Sequence, residues 1–313
     1  MLRERLADQL GALATTWHRR ALTEILRWPW LRSAEEKVTA VVEPLYDRHR
    51  GDLAVELMHG GRWAGHSVHA ALSDLPIGFY AGALVLDALG KDVPAGRGRL
   101  DPAATLSAAG IAAALVTGAT GATDWAVSDG DDRRIGLFHG LLNGAATALQ
   151  TASLTARLAG RRRPAQVLGA AGMAVTAAAG YLGGHLVQGR AVMVNRALGS
   201  TAPTRWVRAV PLDELADGGT VGVEVEGRKV LLHRAGEEVH AIDDVCSHAG
   251  ALLSRGEVTG CVVTCPLHET RFDVRDGSIL RGPAHHPQPV LPARTRNGWI
   301  EVRGTPPRRR GSG

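Results

Sequence analysis

The sequence predicts a multidomain chain with α and β parts: a four-helix transmembrane bundle followed by a small all-β domain. Three observations carry this reading. Four apolar stretches, roughly Ala70–Leu89, Ala103–Ala122, Ile135–Leu158 and Ala165–Val187, each approach the length that spans a bilayer. After about Gly189 they give way to short β-branched runs punctuated by glycine. All three cysteines, Cys246, Cys261 and Cys265, fall within one short window of that second part. A length of 313 residues leaves room for two domains.

The N-terminal region, residues 1–60, reads as amphipathic helices. Leu2, Leu6, Leu10, Leu13 and Trp17 recur at helical spacing among Arg3, Arg5, Asp8, Arg19 and Arg20. Such a helix suits either a membrane surface or the flank of another helix. Met1–Leu31 has no uninterrupted apolar core ahead of a small-residue cleavage site, so no signal peptide is expected. Ser33-Ala34-Glu35-Glu36 has the form of a capping box, placing a second helix from there to about Tyr46. Asp52–Met58 suits a short third helix.

Residues 61–195 form the expected membrane domain. Short charged loops, Gly90–Pro102, Thr123–Arg134 and Ala159–Pro164, separate its apolar stretches. Small residues recur within them, among them Gly78/Gly82, Gly140/Gly144, Gly169/Gly172 and Gly183/Gly184, which lets membrane helices approach closely.

Residues 196–204 read as a linker and 304–313 as a disordered tail, with the β-domain between them at 205–303. Val221–Glu226 and Val230–His233 flank Gly227-Arg228 as a hairpin. Val239–Ile242, Val258, Val262–Thr264, Phe272–Val274 and Trp299–Val302 read as further short strands.

Charge and cysteine usage exclude some functions. The net charge is +5, but positive and negative residues are interspersed and only 4% of residues are aromatic, so no nucleic-acid face is expected. Three clustered cysteines are not a secreted disulfide framework.

The cysteine window carries the chemistry. Cys246-x-His248 is followed after sixteen residues by Cys265-x-x-His268. A Cys2His2 zinc site usually pairs Cys with Cys and His with His. Here each half supplies one of each, which suits an asymmetric two-iron cluster; zinc remains the alternative. With Gly250, Pro266, Phe272-Asp273, Asp276-Gly277 and Gly282-Pro283-Ala284, these half-motifs resemble the Rieske iron–sulfur family over about Arg205–Arg303. The resemblance implies a [2Fe-2S] cluster with Cys246 and Cys265 on the inner iron and His248 and His268 on the outer one. Relatives of the cytochrome bc type carry an extra cysteine in each half; those positions here are Ala251 and Leu267. Their Ser and Tyr hydroxyls near the sulfurs align with Thr270 and Phe272. Fewer bonds to sulfur imply a potential in the lower part of the roughly −150 to +300 mV Rieske range. Where the family has a glycine after the last ligand this chain has Glu269, which raises a question about backbone conformation there. Cys261 reads as a small buried strand residue with no redox part.

Met58–Asp87, with GATDW at Gly121–Trp125 and GGHLVQGRAVMVN at Gly183–Asn195, resembles a four-helix bacterial membrane domain of unknown function, often found ahead of Rieske domains. The match spans about Ala54–Asn195. It departs at His66-Ser67-Val68-His69-Ala70, where two prolines are lost and both histidines kept. Alternating spans would bring His66, His69, Asp74, Asp124, His139, Asn143 and His185 toward one face. Three readings stay open for them: axial haem b ligation (His139 with His185 or His69), a quinone or proton site, and interhelical hydrogen bonding alone. The arginines of both faces leave orientation unset by the positive-inside rule.

Together these features imply a multi-pass cell-membrane protein with its cluster domain in the cytoplasm, carrying single electrons to or from a redox partner protein. The alternatives are a ferredoxin-type component of a Rieske oxygenase system and a haem- or quinone-linked relay. An oxygenase subunit needs a mononuclear iron domain after the cluster. Only 45 residues follow His268, so an oxidoreductase-type carrier is expected rather than a stand-alone enzyme.

Overall fold

The computed structural model describes residues 16–89, 101–198 and 203–304. The leucine stripe from Leu2 to Leu13, the loop residues Lys91, Arg97 and Arg99, part of the linker and nearly all of the tail lie outside the described residues. The chain divides into two compact units. The described parts of residues 1–49 and 72–190 form the first, and those of 50–71 and 191–313 the second.

The first unit is helical. Helix α1 covers residues 16–27, and α2 runs Pro29–His49. The capping box expected at Ser33 is not a helix start, because α2 begins four residues earlier. Proline at the first helical position needs no N–H partner and has its φ preset for the helix. Arg134 reaches back to α2, donating to the Glu35 carboxylate at 2.8 Å.

Four helices follow: α5 (Asp74–Ala88), α6 (Pro102–Ala126), α7 (Gly130–Leu158) and α8 (Arg162–Gly184). Asp101 caps α6 by accepting from the Ala103 N–H at 3.1 Å, with Pro102 again at the first position. Three segments are long and apolar enough to cross a membrane: Val68–Ala88, Pro102–Ala126 and Arg162–Gly189. The third expected span, Ile135–Leu158, is helical within α7 but is not among them. Its apolar run is diluted by Asn143, Gln150, Ser153 and three threonines. The bundle architecture stands, with one helix more polar than its neighbours.

Those polar residues work between helices. The Gln150 amide donates to the Gly169 carbonyl at 3.1 Å, and the buried Ser153 hydroxyl donates to the Ala165 carbonyl at 2.6 Å. A Cβ on Gly172 would come within 2.8 Å of Gln150 Nε2, so glycine is what permits the close α7–α8 approach. Gly78, Gly118, Gly140 and Gly144, by contrast, have nothing within 4 Å of such a Cβ.

The second unit is an all-β body of three antiparallel sheets plus residues 50–71. Strands β1 (Val207–Pro211), β11 (Trp299–Val302) and β10 (Ala293–Arg296) form one sheet in that order. A second runs β2 (Thr220–Val225), β3 (Arg228–Ala235), β4 (Glu238–Asp243) and β9 (Val290–Leu291). The third contains β5 (Glu257–Thr259), β6 (Val262–Thr264), β7 (Arg271–Asp273) and β8 (Ile279–Arg281). The β2–β3 turn is Glu226-Gly227, one residue earlier than expected. Both have positive φ, as the tight turn matched to strand twist requires.

Residues 50–71 contain α3 (Leu53–His59) and α4 (Val68–Leu72), the latter reaching one residue into the helical unit. Gly60 ends α3 at φ +85. The compact units do not follow a boundary at 60/61. Contacts place 50–60 and 61–71 together, on the β body.

Candidate metal centre

The two half-motifs sit on loops of the same design. After β4, the Cys246 N–H donates to the Ala251 carbonyl at 2.8 Å, and the Gly250 N–H donates to the Cys246 carbonyl at 2.9 Å. After β6, the Cys265 N–H donates to the Thr270 carbonyl at 2.8 Å, and the Glu269 N–H to the Cys265 carbonyl at 3.0 Å. Gly250 has φ +83 and its counterpart Glu269 φ +56. This answers the question posed by Glu269. The loop needs a left-handed residue there, and a glutamate adopts that conformation at a cost of roughly 1–2 kcal/mol. Its carboxylate is held by Arg50 at 2.9 Å and Arg281 at 3.0 Å, so its charge does not face the centre uncompensated.

The loops bring the four expected residues together. Cys246 and Cys265 are buried and hydrogen-bonded to each other. The Nδ1 atoms of His248 and His268 face each other at 3.2 Å, with ring centroids 4.9 Å apart. His248 is buried and His268 half-buried. Backbone N–H groups of His248 and Ala249 point at the Cys246 sulfur, and those of Leu267 and His268 at the Cys265 sulfur. The Cys265 thiol is drawn down to about 6, first by the bond from Cys246 and then by its two N–H donors, against burial. Cys246 is pushed up by that shared proton, by burial and by the charge of Cys265. Two thiol sulfurs supplied with N–H donors, beside two converging imidazole nitrogens, are a donor set that fits a [2Fe-2S] cluster with mixed ligands.

A third loop, residues 282–288, ties the two halves together. The Ala284 N–H donates to Thr270 Oγ1 at 3.1 Å, and the Ser247 hydroxyl to the His286 carbonyl at 2.7 Å. Gln288, almost fully buried, accepts from the Ser247 N–H at 3.1 Å and donates to the carbonyls of Asp243 and Val245 at 2.7 and 2.6 Å. Beneath lies an apolar cluster of Leu231, Ile242, Leu253, Val263 and Phe272 that includes both cysteines. Sequence reasoning missed Ser247 and Gln288. A polar residue wedged inside the first half-motif was the one local signal available. Cys261 is not in a strand but in the β5–β6 turn, and it is partly exposed.

Residues 205–292 match the Rieske [2Fe-2S] domain, and residues 65–196 match a family described as Predicted membrane protein (DUF2231). The chain is 36% identical over 93 residues to the ferredoxin component of the naphthalene 1,2-dioxygenase system of Pseudomonas putida, spanning 30% of this chain and 89% of that one. The chain belongs to the Rieske family. Another relative is the anthranilate 1,2-dioxygenase ferredoxin subunit of Burkholderia cepacia, 33% identical, with 31% of this chain and 90% of that one covered. Among solved structures, the ferredoxin of carbazole 1,9a-dioxygenase from Nocardioides aromaticivorans IC177 is 34% identical, with 33% of this chain and 100% of that one covered at a TM-score of 0.31. The Rieske domain is thus homologous to electron-transfer ferredoxins of oxygenase systems, fused behind a DUF2231 domain.

The polar residues expected on one face of the membrane domain divide between the units. His66 and His69 fall in the compact unit that holds the β sheets, and Asp74, Asp124, His139, Asn143 and His185 in the helical unit. His139 Nδ1 faces the Ala179 carbonyl at 2.8 Å and its Nε2 faces the Asn143 amide at 3.1 Å. His185 opens a π-helical turn, His185–Gly189, and meets the His18 ring edge-on at 4.9 Å.

Two Rieske-domain histidines set a pH dependence. Burial lowers His233 below its ordinary value, with His240 adding to the effect. Burial likewise lowers His286, helped by His285 and His66. A depressed histidine binds its proton less readily folded than unfolded, so the stability it contributes is complete above about 6.5 and falls as pH drops below that. Thermal unfolding between pH 8 and pH 5 is expected to show a falling Tm, with His233→Gln flattening part of the slope.

Proposed function

We propose that this chain is a membrane-anchored one-electron carrier whose [2Fe-2S] cluster is held by Cys246, His248, Cys265 and His268. The observation that carries this is the pair of matched loops placing two sulfurs and two imidazole Nδ1 atoms together. When bound, the group supplies reversible one-electron chemistry. The chain's own part is to hold and tune it. Backbone N–H groups favour the thiolate form of both cysteines, and Gln288 and Thr270 fix the loops around them. Buried His248 keeps one side closed to solvent, and half-exposed His268 is the side on which a partner protein approaches. The three apolar helices and the DUF2231 match support anchoring in the bilayer. The dioxygenase ferredoxin relatives favour an oxygenase-type terminal component as that partner, to which this chain passes single electrons.

The test is one optical spectrum of the detergent-purified chain, air-oxidised and then reduced with dithionite. Broad visible absorption that bleaches on reduction supports the reading, and zinc without iron or sulfide would end it. A sharp Soret band would assign haem b to the helical unit as well. His268→Cys is expected to retain a cluster but lower its midpoint potential by on the order of 100–300 mV, because a thiolate adds negative charge where an imidazole was neutral. An unchanged potential would contradict the ligand assignment.

A further inference from the structure

Residues 50–64 precede both matched regions, which begin at 65 and 205. Yet they are built into the same compact unit as the cluster loops. Glu56, on α3, is buried, and its carboxylate accepts the Gly282 N–H at 2.9 Å. His59, one turn on, is also buried, and its ring meets that of His285 at 5.8 Å in an edge-on arrangement. Gly61 runs so close to the loop that a Cβ there would sit 2.1 Å from the Ala284 carbonyl oxygen. All three contacts fall on Gly282–His285, at the head of the loop that bonds Thr270 on one side and Ser247 on the other. A carboxylate buried beside a single backbone donor is expensive unless that bond is made, so the contact is specific to the folded loop.

We infer that Glu56, backed by His59 and Gly61, is a positioning residue of the iron–sulfur centre: it clamps the 282–288 loop, which in turn holds the two ligand loops in register. This rests on the cluster reading given above. It also makes a segment ahead of the membrane helices an integral part of the electron-transfer unit.

The test uses the full chain in detergent, with two readouts. Amide hydrogen exchange needs no cluster. In Glu56→Ala, peptides covering 282–288 are expected to exchange about tenfold faster, the loss of one charge-assisted bond, while Arg228–Asp243 stays as protected as before. The electron paramagnetic resonance line shape and midpoint potential of the loaded fraction should shift with it. Loss of folding alone would lower the yield and leave both unmoved in the loaded chains. Glu56→Gln, which keeps an acceptor oxygen at the same reach, should restore exchange and line shape. If Glu56→Ala does not accumulate, Glu56→Asp, one methylene short, should show the faster exchange that Glu56→Gln does not. Wild-type exchange and line shape in Ala or Asp overturn the inference, as does Gln behaving like Ala. A wild-type chain without iron and sulfide overturns the cluster reading and this role with it. A loaded wild type with unmoved variants overturns this role alone.

Discussion

Cys265→Ser is expected to abolish cluster binding, with iron and acid-labile sulfide falling from about two of each per chain to under a tenth of that. Serine is nearly isosteric. Its hydroxyl can still take the N–H groups of Leu267 and His268 and sit in the apolar cluster with Phe272 and Val263. What it lacks is a ligand atom that ionises. The thiol at this position is drawn below its ordinary value, whereas an alcohol stays protonated at neutral pH. The loop should therefore survive while the metal is lost, and far-ultraviolet circular dichroism of the variant should stay close to that of the metal-depleted wild type. Cys261→Ser is the control. Its side chain lies in the β5–β6 turn and only flanks the apolar cluster, so iron, sulfide and spectrum should match wild type. Retention of iron by Cys265→Ser, or its loss from Cys261→Ser, would mean that the ligand set is wrong.

Legibility from sequence followed the range of the interaction that fixes each feature. The half-motif loops were readable because their determinants are local. Gly250 and Glu269 sit four residues after their cysteines, where a chain turning back to bond its own carbonyl needs a left-handed residue. Strands β3, β4 and β6 were readable from β-branched runs, but β8 and β9 are short and are specified by their neighbours rather than by pattern. The start of α2 was misplaced because Ser33-Ala34-Glu35-Glu36 satisfies the capping pattern whether or not the helix begins there, and Pro29 supplies an equally good start earlier. The allegiance of residues 50–71 left almost no local trace. Glu56 is a charged residue on a seven-residue helix, and its reason for being buried is a backbone N–H 226 positions away. Burial driven by such a distant partner has no periodicity to read. Likewise, Ile135–Leu158 read as one more apolar span, and nothing in its pattern showed that Gln150 and Ser153 donate to carbonyls of α8.

Arg157→Ala is expected to destabilise the helical unit by about 3–5 kcal/mol, the cost of leaving a buried charge without its partner. Arg157 closes α7, and its guanidinium donates to both carboxylate oxygens of Asp87 at the end of α5, the Nη1 bond measuring 2.8 Å. Only 6% of the Arg157 side chain and 10% of that of Asp87 are exposed. Asp101, the residue that caps α6, lies 4.0 Å from the same guanidinium, so one side chain joins the ends of three helices. A planar, doubly bonded fork is also why lysine should not substitute well. α7 needs this anchor more than its neighbours do, because it is the helix whose composition gives the weakest drive into an apolar medium. Loss of the clamp should lower the Tm of the helical circular dichroism signal in detergent and leave the iron–sulfur spectrum of the Rieske domain in place. The double variant Arg157→Leu with Asp87→Leu should recover most of the loss, since removing both charges also removes the desolvation that the pair had to offset. If the single variant unfolds within about 1 kcal/mol of wild type, the pair behaves like a surface ion pair, and the ends of α5 and α7 lie in water rather than under the shelter of the bundle.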